Sequence, residues 1–89
     1  MEITVEISMY PLREKFEPVI IELIQEVKAV KGVEVKVNPT ATHLFGEYAL
    51  VMNTLQTQIR GSFDKYGKVV FAIKVLNGNL KDSLEGKNL

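Results

Sequence analysis

The chain has 89 residues, which is enough for one domain and too few for two. Apolar residues make up 46%, a share typical of a packed globule and too high for a disordered chain. Eleven acidic and eleven basic side chains cancel, which argues weakly against a nucleic-acid partner. Cysteine is absent, so disulfides, thiolate metal sites and thiol nucleophiles are excluded.

The start of the chain alternates polar with apolar residues and lacks the basic start and apolar run of a signal peptide. The longest nearly apolar stretch, residues 18–24, is far shorter than a membrane span and contains Glu22. We therefore expect a cytoplasmic protein with neither membrane nor nucleic acid as a partner.

The first half of the chain predicts a strand, a helix and a second strand. Ile3, Val5 and Ile7 alternate with polar residues, as in a half-buried strand that ends at Pro11. Apolar residues then recur at helical spacing over residues 16–30, which predicts an amphipathic helix that begins near residues 15–17. Gly32 is a natural stop, and alternation over residues 33–37 predicts the second strand.

The second half repeats a strand, a helix and a strand. Residues 38–40 form a turn, residues 42–45 a short strand, and Gly46 lets the chain swing into a helix. The second helical pattern runs from Tyr48 to Phe63 and closes at Gly67. Residues 68–76 predict the fourth strand, and residues 77–89 a polar tail that can form a short helix around residues 80–84.

This order predicts an α+β, ferredoxin-like βαββαβ domain over residues 1–76, with a C-terminal tail over residues 77–89. Right-handed crossovers place both helices on one face of a four-stranded antiparallel sheet. A mixed, uncovered opposite face is a candidate oligomer interface or ligand wall. The helix-facing set is predicted to be Ile3, Val5, Ile7, Val33, Val35, Val37, Leu44, Val69, Phe71, Ile73 and Val75. The opposite set is predicted to be Thr4, Glu6, Ser8, Lys36, His43, Phe45, Val70, Ala72 and Lys74.

No residue set has the pattern of a catalytic centre or a metal site. His43 is the only histidine in the sequence. We expect it to be a half-buried polar residue on the open face of the sheet rather than a catalytic or metal-binding residue. Glu6 and Lys74 lie on neighbouring strands and predict a weak cross-strand pair. Phosphate-binding glycine loops and the aromatic platform of RNA-recognition domains are also absent.

The stretch around residues 38–47 is the richest in binding groups. Asn38, Thr40, Thr42 and Glu47 supply an amide, two hydroxyls and a carboxylate between a hairpin and a helix start. The structural alternative is equally simple, because Asn and Thr are turn formers and an acid suits the first turn of a helix. On spacing alone, the structural alternative is favoured.

Two segments resemble the small YkoF-related, thiamine-binding family: residues 5–12, and residues 40–52 with their hydroxyl-rich turn, short strand and Gly-acid helix start. The resemblance covers about residues 2–76. It implies a ferredoxin-like subunit that associates with itself, as a dimer or tetramer, through sheet faces or edges. The ligand-binding residues that it implies are Ser8, Asn38, Thr40, Thr42 and Glu47.

The function implied by this resemblance is non-catalytic binding of thiamine or its hydroxymethylpyrimidine part, with no other cofactor. Glu47 would accept from the exocyclic amine, the threonine hydroxyls would donate to ring nitrogens, and Tyr10 or Phe45 would supply a flat wall. Two other functions remain open. One is an oligomeric regulatory or interaction module that binds another metabolite or none, and the other is an enzyme.

Overall fold

A computed structural model describes residues 1–83 of the chain. Six elements follow one another in the order strand, helix, strand, strand, helix, strand. Their bounds are β1 Glu2–Pro11, α1 Glu17–Lys28, β2 Glu34–Val37, β3 Thr42–Glu47, α2 Tyr48–Tyr66 and β4 Val69–Asn77. The four strands and the two long helices predicted from the sequence are present, with ends that differ by a few residues.

The four strands form one antiparallel sheet in the order β2-β3-β1-β4. β1 lies inside the sheet and pairs with β3 over Glu2–Ile7 on one side and with β4 over Ile3–Pro11 on the other. Both helices pack on the same face, so the fold is the predicted ferredoxin-like α+β arrangement. Within the described residues, neither helix is long and apolar enough to cross a membrane.

The hydrophobic core lies between the helices and the inner face of β1 and β3. Ile3, Val5 and Ile7 alternate into it from β1, and Leu44 faces it from β3. Each fully buried aliphatic side chain of this kind contributes roughly 1.5–3 kcal/mol. The helices supply the opposing layer, with Val19, Leu23 and Val27 from α1 and Val51 and Leu55 from α2.

Burial departs from the predicted faces at three positions. Val37 and Val75 lie on the helix-facing side of their strands, yet each is about half exposed. They belong to the two outermost strands, whereas the buried side chains concentrate on the inner strands. Phe45 lies on the opposite face, as predicted, but it is only 4% exposed. Another part of the chain must therefore cover the open face around Phe45.

The residues at the helix ends are of the types that helix termini favour. Pro18 lies in the first turn of α1, where its missing N–H removes no helical hydrogen bond. The Glu47 carboxylate caps α2 by accepting from the Leu50 backbone N–H at 3.1 Å. Gly67 follows α2 with a φ of 73°, a conformation that side-chain-bearing residues rarely adopt.

Two glycines with opposite surroundings provide a test of the packing. A Cβ at Gly46 would lie 2.9 Å from the Gly32 carbonyl oxygen and 3.2 Å from Val51 Cγ2, whereas a Cβ at Gly61 would meet nothing within 4 Å. We expect Gly46→Ala to lower the free energy of unfolding by about 1–3 kcal/mol through overpacking. Gly61→Ala, inside α2, should raise it by about 0.5–1 kcal/mol. Urea denaturation followed by circular dichroism measures both, and equal stability of the two variants would contradict this packing.

Candidate functional site

The chain does not leave the sheet after β4 but turns back across the open face. We call residues 78–83 the C-terminal strap. The turn is made at Gly78, which has a φ of 119° and donates its backbone N–H to the Glu2 carbonyl at 2.8 Å. Residues 81–83 form a turn rather than a helix, and position 84 of the predicted short helix lies outside the described residues.

The strap is held mainly by polar contacts to two strands, β1 and β2. The Thr4 hydroxyl of β1 donates to the Gly78 carbonyl and accepts from the Leu80 N–H, both at 2.8 Å. Lys36 of β2 donates to the Lys81 carbonyl at 2.7 Å, and the Lys81 ammonium pairs with Glu34. The strap therefore crosses the sheet from β4 to β2, which accounts for the burial of Phe45 and Thr4.

A cavity of about 600 Å³ lies between the strap and the open face of the sheet. We call it the open-face cavity. Its size falls within the range of about 300–1,000 Å³ that is usual for small-molecule sites. Its lining combines the sheet residues Thr4, Glu6, Lys36, Asn38, His43, Phe45, Lys74 and Leu76 with Leu80, Lys81 and Ser83 of the strap.

One carboxylate lies at the centre of the charged groups in this cavity. Glu6 is 3.5 Å from His43 Nε2 through one oxygen and 4.0 Å from Lys74 Nζ through the other. The register places both side chains directly opposite Glu6, on β3 and β4 respectively. The cross-strand pair of Glu6 and Lys74 is thus confirmed. At this separation, and with Lys74 largely exposed, the pair contributes little stability.

The tautomer of His43 follows from its other neighbour. The Asn38 side-chain nitrogen is 2.8 Å from His43 Nδ1. With the amide nitrogen as donor, Nδ1 is the acceptor, and the tautomer that fits this contact carries its hydrogen on Nε2. The ring therefore presents an N–H beside the Glu6 carboxylate, and the two groups form an adjacent donor and acceptor in the cavity.

The cavity also has a flat aromatic surface. The rings of His43 and Phe45 are nearly parallel, with an interplanar angle of 20° and centroids 6.4 Å apart. These residues are two apart on β3 and so share the open face of the sheet. The two rings form an apolar wall on one side of the cavity, although Phe45 itself is only 4% exposed.

The residues predicted for binding are divided between two ends of β3. Ser8, Asn38, Thr40 and Thr42 line a cleft of about 80 Å³ beside α1, where the Ser8 hydroxyl donates to the Thr40 carbonyl at 3.1 Å. Thr42 faces the helices and is buried. This cleft is several times smaller than a usual ligand pocket. Asn38 alone among the four also lines the open-face cavity.

Glu47 lies apart from the other predicted residues. It is five positions beyond Thr42 on β3, a distance of about 17 Å at roughly 3.4 Å per residue. One aminopyrimidine ring cannot contact both side chains within a single chain. The ligand-binding role of each residue stays a prediction, but the structure does not bring them into one pocket.

A second, smaller cavity of about 250 Å³ lies between α1 and α2. Beside it, Glu22 of α1 accepts from Lys65 at 2.5 Å and from the Tyr66 hydroxyl of α2. The Lys65 ammonium and, next, the Tyr66 hydroxyl lower the pKa of the Glu22 carboxyl, and the same bond to Glu22 raises the pKa of Tyr66. These contacts connect the helices. No group of three or more metal-binding side chains occurs among residues 1–83.

Comparison with known proteins finds matches among solved structures only. No family model matches the chain, and no curated protein does. A Thermotoga maritima protein provisionally described as a thiamine biosynthesis/salvage protein is 21% identical, with a TM-score of 0.85 and 98% of each chain covered. Protein SP2199 of Streptococcus pneumoniae is 22% identical, with a TM-score of 0.80 and 90% of each chain covered.

A domain of unknown function, DUF77, from Bacillus cereus is 20% identical, with a TM-score of 0.72, and the match covers all of this chain and 91% of that one. Similarity at such low identity establishes that the fold is shared. It does not establish a shared ligand, because one fold supports many functions.

The Thr4 hydroxyl can be tested as the anchor of the strap. Thr4→Val keeps the shape of the side chain but removes the bonds to Gly78 and Leu80. We expect faster hydrogen exchange at the Leu80 amide and a free energy of unfolding lower by about 1 kcal/mol. Thr57→Val, on the exposed surface of α2, should leave Leu80 exchange unchanged. Unaltered Leu80 exchange in Thr4→Val would contradict this anchoring.

Proposed function

We propose that the protein is a non-catalytic binding protein for thiamine or its hydroxymethylpyrimidine moiety, and that the pyrimidine ring lies in the open-face cavity. The observation that carries this proposal is the adjacent acceptor and donor formed by Glu6 and His43, beside the aromatic surface of His43 and Phe45. The proposal moves the site from the turn at residues 40–47 to the opposite face of the sheet.

The chemistry of an aminopyrimidine complements this pair. Its exocyclic amine is a donor, and the adjacent ring nitrogen is an acceptor, so one edge offers both functions side by side. Glu6 accepts from the amine, and His43 Nε2–H donates to the ring nitrogen. Asn38 supports this arrangement because it holds the imidazole in the tautomer that donates towards the cavity.

The charges around the cavity favour the pyrimidine over the thiazolium part of thiamine. Among residues 1–83, Lys36, Lys74 and Lys81 line the cavity together with the carboxylate of Glu6, and the Lys81 ammonium is paired with Glu34. A neutral pyrimidine suits this surrounding better than a permanently cationic thiazolium ring does, since like charges repel at close range. The thiazolium of thiamine is then directed out of the cavity towards water.

Two further observations support a ligand of this class. The sequence resembles the YkoF-related, thiamine-binding family in two segments, and one structural neighbour is provisionally described as a thiamine biosynthesis/salvage protein. Both are compatible with a small heterocycle as the ligand, and neither identifies it. The geometry of the cavity supplies the specific hypothesis about which atoms hold the ring.

Calorimetric titration with hydroxymethylpyrimidine tests the proposal. We expect Glu6→Gln to weaken binding by about ten- to a hundredfold, since a hydrogen bond to a charged group contributes about 1.5–3 kcal/mol. Glu47→Gln is the matched control and should bind like the unmodified protein. Loss of binding in Glu47→Gln but not in Glu6→Gln would place the ligand at the turn instead. Absence of heat from the unmodified protein at millimolar ligand would refute binding altogether.

A further inference from the structure

One residue from each strand lies in a single row across the open face of the sheet. Each member of this row is the register partner of the next, and all of them line the open-face cavity. From β2 to β4 the members are Lys36, His43, Glu6 and Lys74. We call them the cross-sheet row. Its polar groups occur in a fixed order, because the strand order of the sheet determines it.

The last three members of the row are close enough together to contact one small ligand. Glu6 lies in the middle, with His43 Nε2 at 3.5 Å from one carboxylate oxygen and Lys74 Nζ at 4.0 Å from the other. The row therefore offers an N–H donor, an anionic acceptor and a cation in sequence, and all three face the same cavity.

A pyrimidine held by His43 and Glu6 has a defined orientation along this row. In hydroxymethylpyrimidine, the carbon that carries the amine lies between a ring nitrogen and the carbon that carries the hydroxymethyl group. When His43 donates to that ring nitrogen and Glu6 accepts from the amine, the hydroxymethyl group must lie on the side of Lys74. Turning the ring over exchanges its two faces but keeps this order.

We propose that Lys74 binds an anionic group on the hydroxymethyl oxygen, so that the preferred ligand is the phosphate monoester of hydroxymethylpyrimidine. This inference rests on the proposed function, from which it takes the position of the ring. A phosphate monoester carries a charge of about −1.5 to −2 at pH 7 and presents several acceptor oxygens to a lysine ammonium. It also extends farther from the ring than a hydroxyl group does, towards β4.

The position of Lys74 suits such a group. Its side chain is 83% exposed, so the ammonium can move towards the phosphate at little packing cost. Because β4 is an outer strand, a phosphate there keeps part of its hydration. Lys36, at the other end of the row, lies on the side of the ring nitrogen, where hydroxymethylpyrimidine carries a methyl group. The two ends of the row are therefore not equivalent for this ligand.

Thiamine provides the opposite case, because it carries its cationic thiazolium ring on the same methylene carbon. In the proposed orientation this cation would lie on the side of Lys74, and like charges repel at close range. The expected order of affinity is therefore the phosphate monoester first, hydroxymethylpyrimidine second and thiamine third.

Calorimetric titration with these three ligands at low ionic strength tests the role of Lys74. The phosphate monoester should bind the unmodified protein about three- to thirtyfold more tightly than hydroxymethylpyrimidine. Lys74→Met keeps the apolar stem but removes the charge. It should reduce the affinity for the monoester to that for hydroxymethylpyrimidine, leave the latter unchanged, and tighten thiamine. Opposite changes for an anionic and a cationic ligand report charge rather than folding, which circular dichroism checks separately.

Lys68→Met is the matched control, since Lys68 is an exposed lysine just before β4 that lies outside the lining of the cavity. It should keep the full preference for the monoester. Equal affinities of the unmodified protein for the monoester and hydroxymethylpyrimidine would overturn this inference but leave the proposed function in place. So would a preference that survives in Lys74→Met or is lost in Lys68→Met. If none of the three ligands binds, the proposed function fails and this inference fails with it.

Discussion

The antiparallel pairing of β1 with both β3 and β4 is the constraint on which the rest of the structure depends. It fixes which side chains of β1 face the helices and which face the cavity. Ile3, Val5 and Ile7 belong to the core, while Thr4 and Glu6 belong to the opposite surface. A slip of one residue would exchange the two sets and bury a carboxylate in the core. Burial of the aliphatic set therefore holds the polar set in position without any contact to it.

The strap converts an exposed sheet face into a cavity with walls. Without it, Phe45 would be an aromatic side chain on an uncovered surface, and the Thr4 hydroxyl would lose its bonds to Gly78 and Leu80. The contacts of the strap within residues 1–83 include hydrogen bonds and the ion pair of Lys81 with Glu34, and its apolar contribution to the cavity, Leu80, is itself 43% exposed. Contacts of this kind open at low free-energy cost. We therefore expect the strap to open more readily than the sheet that it covers.

The period of two along the strands was sufficient to predict the fold and the two faces of the sheet. The same alternation predicted Glu6 opposite Lys74, because a pairing of β1 with β4 follows from the topology. It could not predict the burial of Phe45, since the strap has no periodicity and its contacts span more than 70 residues. The half-exposed Val37 and Val75 show that facing the helices is not the same as being covered by them.

The predicted site residues show a second limit of prediction from sequence, which concerns the role of polar residues in turns. Asn, Thr and Glu around a turn serve a binding site and a hairpin equally well, and only the structure separates the uses. Glu47 caps α2, and Thr42 faces the helices. The local structure therefore explains both residues without a ligand. Glu6 and His43 carried no motif, because they meet only through pairing between β1 and β3. Their proximity is a property of register rather than of sequence spacing.

The most direct test of the proposed site is the map of amide chemical-shift changes when hydroxymethylpyrimidine is added to the isotopically labelled protein. The proposed site predicts the largest changes at Glu6, His43 and Phe45 and in the strap around Leu80, with small changes at Thr42 and Glu47. Changes concentrated at Thr42 or Glu47, with Glu6 and Leu80 unaffected, would contradict it.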